Sequence, residues 1–144
     1  MADFGEHHFV YSLYPHLGGW DEKVQAEAYA LNDPIIVWKV EGPRSTDTVA
    51  RHASLITQPS SLVTCSAPNV VIETVKRAED GEGIIVRLYE SHRKRGAATV
   101  RFAFAVESAW ETNLLEGNLA ELPVASGAVS LNLKPYQIVT LRVT

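Results

Sequence analysis

An antiparallel β-sandwich, mostly β with at most one short helix, is the fold class that these 144 residues predict. Three observations point to it. Short stretches of alternating apolar and polar residues recur at near-regular spacing, Gly, Pro, Asn and Asp punctuate them, and one stretch alone has helical periodicity. With 46% hydrophobic and 21% charged residues, the chain has the composition of a folded protein rather than a disordered one. Its length suits one compact core or two small β units and is too short for a barrel-sized catalytic domain beside them.

The first element runs from His8 to Tyr14, with Phe9, Tyr11 and Leu13 on one face and Val10, Ser12 and Tyr14 on the other, which is strand periodicity. Pro15 and Gly18-Gly19 end it. Asp21 followed by Val24, Ala28 and Leu31 predicts a short helix with an acidic N-terminus, stopped by Asn32-Asp33-Pro34. Ile35 to Val40 is apolar and β-rich until Gly42-Pro43 breaks it. Val70 to Lys76 and Ile84 to Tyr89 form the clearest hairpin, around Asp80-Gly81-Glu82-Gly83. Thr99 to Val106 answers across the basic run His92-Arg93-Lys94-Arg95-Gly96, which is expected to be a solvated hairpin tip, and sets Val100, Phe102 and Phe104 on one face. Val129 to Leu133 and Ile138 to Val143, separated by Lys134-Pro135, close the chain.

A formal net charge of −4 gives no overall electrostatic reason to bind nucleic acid, whose affinity rests on clustered Lys and Arg releasing counterions. The single cysteine, Cys65, cannot form an internal disulfide and sits in an apolar stretch as a small buried hydrophobe, so cytoplasmic residence is expected. No apolar run approaches ~18 residues, and the first residues lack the pattern of a secretion signal, so no membrane span is expected.

Residue types that could carry chemistry are present but poorly arranged. His7, His8 and His16, with Asp3 and Glu6 nearby, form the one cluster resembling a metal site. Adjacent His7 and His8 point to opposite faces of a strand, however, so no metal ligands are assigned. Glu73, Glu90 and Glu107 fall on three predicted neighbouring strands, yet no pair has the look of the two facing carboxylates that glycoside hydrolysis needs, and no catalytic residue is assigned. Trp20, Trp38 and Trp110 could stack on sugar rings, though Trp38, within Ile35-Ile36-Val37-Trp38, reads as core.

The order of residues adds what composition cannot. The pattern Asp3-x-Gly5-x-His7-x-Phe9-x-Tyr11-x-Leu13-Tyr14-Pro15-His16-x-Gly18-x-Trp20 resembles the segment with which family 38 glycoside hydrolases, the α-mannosidases, leave their large central β region in the bacterial branch. Ala28-Tyr29-x-Leu31-Asn32-x-Pro34 resembles the connector that follows. Val71 to Asp80, Ile85 to Glu90, Asn113-Leu114-Leu115-Glu116 and Leu133 to Arg142 resemble the closing β-sandwich of the same enzymes. Residues 1–40 are therefore expected to be the end of the central region with its connector, and 69–144 the terminal sandwich. His8 and the stretch Arg44 to Gln58 depart from the pattern.

The resemblance implies a parent enzyme that hydrolyses α-mannosides in mannose-containing oligosaccharides, with zinc and two carboxylates held by an N-terminal catalytic domain. This chain would be its non-catalytic C-terminal portion, packing on that domain as its partner, with Asp3, His7, Tyr14, His16 and Trp20 as interface or cleft-wall candidates. No cofactor is expected in the chain itself. Alone, its aromatic N-terminal segment is expected to favour self-association. The alternative is a stand-alone carbohydrate-binding β-sandwich module.

Overall fold

The computed structural model describes residues 4–33, 36–37 and 61–144. The chain divides into two compact units, Met1–Glu41 and Gly42–Thr144.

In the first unit, residues 6–16 run without regular secondary structure. The strand expected from His8 to Tyr14 is thus not formed among the described residues. Alternation specifies which side chains share a face, but a strand also needs a neighbour to take its backbone hydrogen bonds, and the described residues of this unit supply none. The helix is where the sequence places it: α1 spans Glu22–Asn32. The Asp21 carboxylate accepts from the N–H groups of Lys23 and Val24 at 3.0 and 3.2 Å, a cap that typically contributes ~1 kcal/mol. At the other end the Asp33 N–H donates to Tyr29 O at 2.7 Å. Of the expected strand from Ile35 to Val40, Ile36 and Val37 alone are described, both exposed and without regular structure. Trp38 and the stretch Arg44 to Gln58 lie outside the described residues.

The second unit, in its described residues, is a β-sandwich of nine strands: β1 Val63–Cys65, β2 Val70–Arg77, β3 Ile84–Glu90, β4 Gly96–Phe102, β5 Ala109–Thr112, β6 Asn118–Leu122, β7 Val124–Ala125, β8 Ala128–Leu133 and β9 Ile138–Val143. One sheet has the order β1-β4-β8-β7 and the other β2-β3-β9-β5-β6, every pair antiparallel. Val63, Val100, Phe102, Val129 and Leu133 from the first sheet meet Val86, Leu88, Val139, Leu141 and Val143 from the second in one core. Each such side chain taken from water stabilises the fold by about 1.5–3 kcal/mol before conformational entropy is counted. Cys65 is half-buried at the edge of this core.

The expected hairpin is present, with Val75 opposite Val86 and Lys76 opposite Ile85. Glu73 is the extra residue of a bulge, because the register passes from Ile72 opposite Leu88 directly to Thr74 opposite Arg87. The hairpin's turn has positive φ at both Gly81 (83°) and Gly83 (87°). At Gly83 the need for glycine is also spatial, since a Cβ there would stand 2.4 Å from Val143 O.

The basic run is not a hairpin tip. Arg93, Lys94 and Arg95 are solvated as expected, but β3 and β4 belong to different sheets. The run crosses from one sheet to the other, and β4 pairs with β1 and β8 instead of β3. Strand β4 also begins and ends earlier than alternation suggests. Val100 and Phe102 are buried on one face, while Phe104 lies beyond the strand with its ring 5.6 Å from that of Phe102.

Candidate functional site

Alternation along β3 puts Ile84, Val86 and Leu88 on the core side, and a period of two then carries Glu90 to the same side. A carboxylate in that position must find donors or unfold the end of the sandwich. Glu90 is 1% exposed. Its Oε1 accepts from Asn69 Nδ2 and from the His92 N–H, both at 2.8 Å, and its Oε2 accepts from the Tyr136 N–H at 2.9 Å. Burial pushes the acid up, but the donors from Tyr136, Asn69, Lys94 and His92 outweigh it and hold the carboxyl at about 2. Asn69 lies between β1 and β2, His92 between β3 and β4, and Tyr136 between β8 and β9, and all three connections cross from one sheet to the other. One carboxylate therefore ties three crossings at one end of the sandwich.

A second polar network lies on the outer face of the larger sheet, where Lys76, Ile85, Arg142 and Trp110 stand in one row across β2, β3, β9 and β5. The β5–β6 turn folds onto this row. Lys76 Nζ pairs with Glu116 Oε1 at 2.8 Å and also with Glu79. Glu116 Oε2 accepts the Glu79 N–H at 2.8 Å. Arg142 bonds Asp80 at 2.6 Å and Glu116 O at 3.0 Å, while its buried Nε has no partner. These contacts lower the carboxyls of Glu116, mainly through Lys76, and of Asp80, mainly through Arg142, and they raise the Lys76 ammonium through Glu116. The arrangement supports architecture. Every strongly held carboxylate is already committed to a protein donor.

The site candidates read from the sequence belong to the first unit, and both networks to the second. Asp3 lies outside the described residues. His7, Tyr14, His16 and Trp20 are exposed, with the Tyr14 and His16 rings stacked 5.5 Å apart. His8 Nε2 is 3.3 Å from Glu6 Oε1. Among the described residues, no three His, Cys, Asp or Glu side chains gather as a metal would require, so zinc has no fitting site in them. The three glutamates considered for catalysis do not converge in function: Glu73 is exposed at the bulge, Glu107 is exposed ahead of β5, and Glu90 is consumed by its clamp. Glu107 lines an open cleft of about 360 Å³ with Ser108, Glu121, Leu122, Pro123 and Val124. No helix among the described residues is long and apolar enough to cross a membrane.

Comparison with known proteins accounts for this architecture. The model of the glycosyl hydrolases family 38 C-terminal beta sandwich domain matches residues 69–141. Alpha-mannosidase 2C1 of Homo sapiens is 30% identical over 97% of the chain, and that of Mus musculus is 31% identical over the same share. Alpha-mannosidase G of Dictyostelium discoideum is 30% identical over 98% of it. The chain spans 13% of the length of each of these relatives. The β-sandwich and its matched residues belong together, and the chain is a member of the glycosyl hydrolase family 38 C-terminal β-sandwich domain family.

Proposed function

We propose that the chain serves as the non-catalytic C-terminal portion of an α-mannosidase acting on mannose-containing oligosaccharides, where it packs on and supports a catalytic domain that binds zinc. One observation carries this proposal: the chain aligns over nearly its whole length with α-mannosidases while spanning 13% of theirs. The polar chemistry supports it, because Glu90 and Glu116 are engaged in holding crossings and turns together. Any zinc would be held by residues outside those described, and no chemical step runs through the chain's own side chains. Asp3, His7, Tyr14, His16 and Trp20 are proposed to face the catalytic portion. Cytoplasmic residence belongs to the same proposal.

The test is hydrolysis of an aryl α-mannoside. The 144-residue chain alone should leave it intact, with or without added zinc, because glycoside hydrolysis needs two positioned carboxyl groups. Adding the remaining polypeptide of the parent enzyme in trans should restore turnover. Zinc-dependent turnover by the chain alone, abolished by His7→Ala or His16→Ala, would overturn the proposal.

A further inference from the structure

The β5–β6 turn combines two properties: its backbone is held at nearly every residue, and its two apolar side chains face water. Asn113 Oδ1 accepts from the N–H groups of both Leu115 and Gly117 at 2.9 Å. Arg87 Nη2 donates to Leu114 O at 3.3 Å, and Arg142 Nη2 to Glu116 O at 3.0 Å. Glu116, at φ 66° in a left-handed conformation unusual for a residue with a Cβ, is held there by Lys76 and the Glu79 N–H. Between these anchors Leu114 is 61% exposed and Leu115 90% exposed.

Cooperative fixing of this kind holds the turn against the outer face of the larger sheet. It needs Arg87 from β3, Arg142 from β9 and Lys76 from β2, and it leaves two leucines where water penalises them. A rigid apolar projection loses little freedom when it docks, and that lowers the cost of association. We propose that the Leu114-Leu115 turn is a preformed docking knuckle that inserts into an apolar depression on the catalytic portion of the parent α-mannosidase. This occupant follows from length: the chain spans 13% of each relative, so most of a relative's chain lies outside it. The inference rests on the proposed function and names, in addition to the N-terminal candidates, a second surface for that packing.

The experiment compares the 144-residue wild type with a Leu114→Ser/Leu115→Ser variant and with Leu62→Ser, a similarly exposed leucine next to β1 in the other sheet. Each is titrated into the separately produced remainder of the parent enzyme, followed by calorimetry, with thermal unfolding of each chain alone. All three should unfold at about the same temperature. Wild type and Leu62→Ser should bind alike, and the double variant at least tenfold more weakly. Equal binding by all three would overturn the knuckle while leaving the proposed function standing, whereas no binding by wild type would overturn both. If the double substitution abolishes only self-association in ultracentrifugation, the occupant is a second copy of the chain and the inference fails.

Discussion

Lys76 Nζ and Glu116 Oε1 meet at 2.8 Å, joining β2 to the β5–β6 turn across the outer face of the larger sheet. The Glu116 side chain is 6% exposed, so its charge depends on this partner. Replacing Lys76 with Met should lower the thermal midpoint, and adding Glu116→Gln should recover part of the loss by removing the uncompensated charge. A double-mutant cycle by thermal unfolding checks this. Strictly additive losses would mean that the pair is not coupled.

Glu90 predicts a pH dependence with a definite sign. Its carboxyl is held at about 2 in the folded chain, below the ~4.3 of an unfolded glutamate. A depressed folded value means that the unfolded state binds the proton first. The contribution is therefore complete above the unfolded value and is lost as pH falls through the window from ~4.3. Glu90→Gln should flatten stability across that window. Glu90→Ala, which leaves several donors unmet, should cost roughly 2–3 kcal/mol at neutral pH by urea unfolding.

The β2–β3 turn offers a paired test. Gly81→Val places a side chain at φ 83°, where a Cβ meets Arg77 Nη2 at an ordinary 4.0 Å, and should cost about 1 kcal/mol from backbone strain. Gly83→Ala adds a collision with Val143 O to similar strain and should cost more, roughly 2 kcal/mol or above. Thermal unfolding ranks the two. The opposite order would mean that the turn is not anchored against β9.

Phe4, Phe9, Tyr11, Leu13 and Leu17 are each at least 80% exposed. In the isolated chain this density of apolar groups should drive concentration-dependent association. Tyr11→Ser with Leu13→Ser should shift the sedimentation distribution toward monomer. Wild-type monomer at every concentration would count against an interface role for this segment.

The elements that the sequence disclosed are those with a clear local pattern bounded by turn residues. β2 and β3 alternate on either side of a glycine turn, and Ile138 to Val143 is found as drawn. The sheet crossing at Arg93 to Arg95 was hidden, because alternation encodes which face is apolar but not which sheet the face belongs to. β5 and β6 were hidden as well: Trp110-Glu111-Thr112 is short, and Leu114-Leu115 imitates core while standing in a turn. Glu90 was within reach, since counting by twos from Ile84 carries a carboxylate to the core side. What the pattern could not supply was its donors, which come from Asn69 and Tyr136, 21 and 46 residues away.

That separation has a kinetic meaning. The Glu90 clamp can close only after three connections distant in the chain have converged, so it belongs to the downhill side of the folding barrier, where long loops have already been closed. Weakening it should leave the refolding rate nearly unchanged and fall almost entirely on unfolding. For a domain proposed to hold a catalytic partner in place, the carboxylate would then set how long the sandwich persists once formed, rather than how quickly it forms.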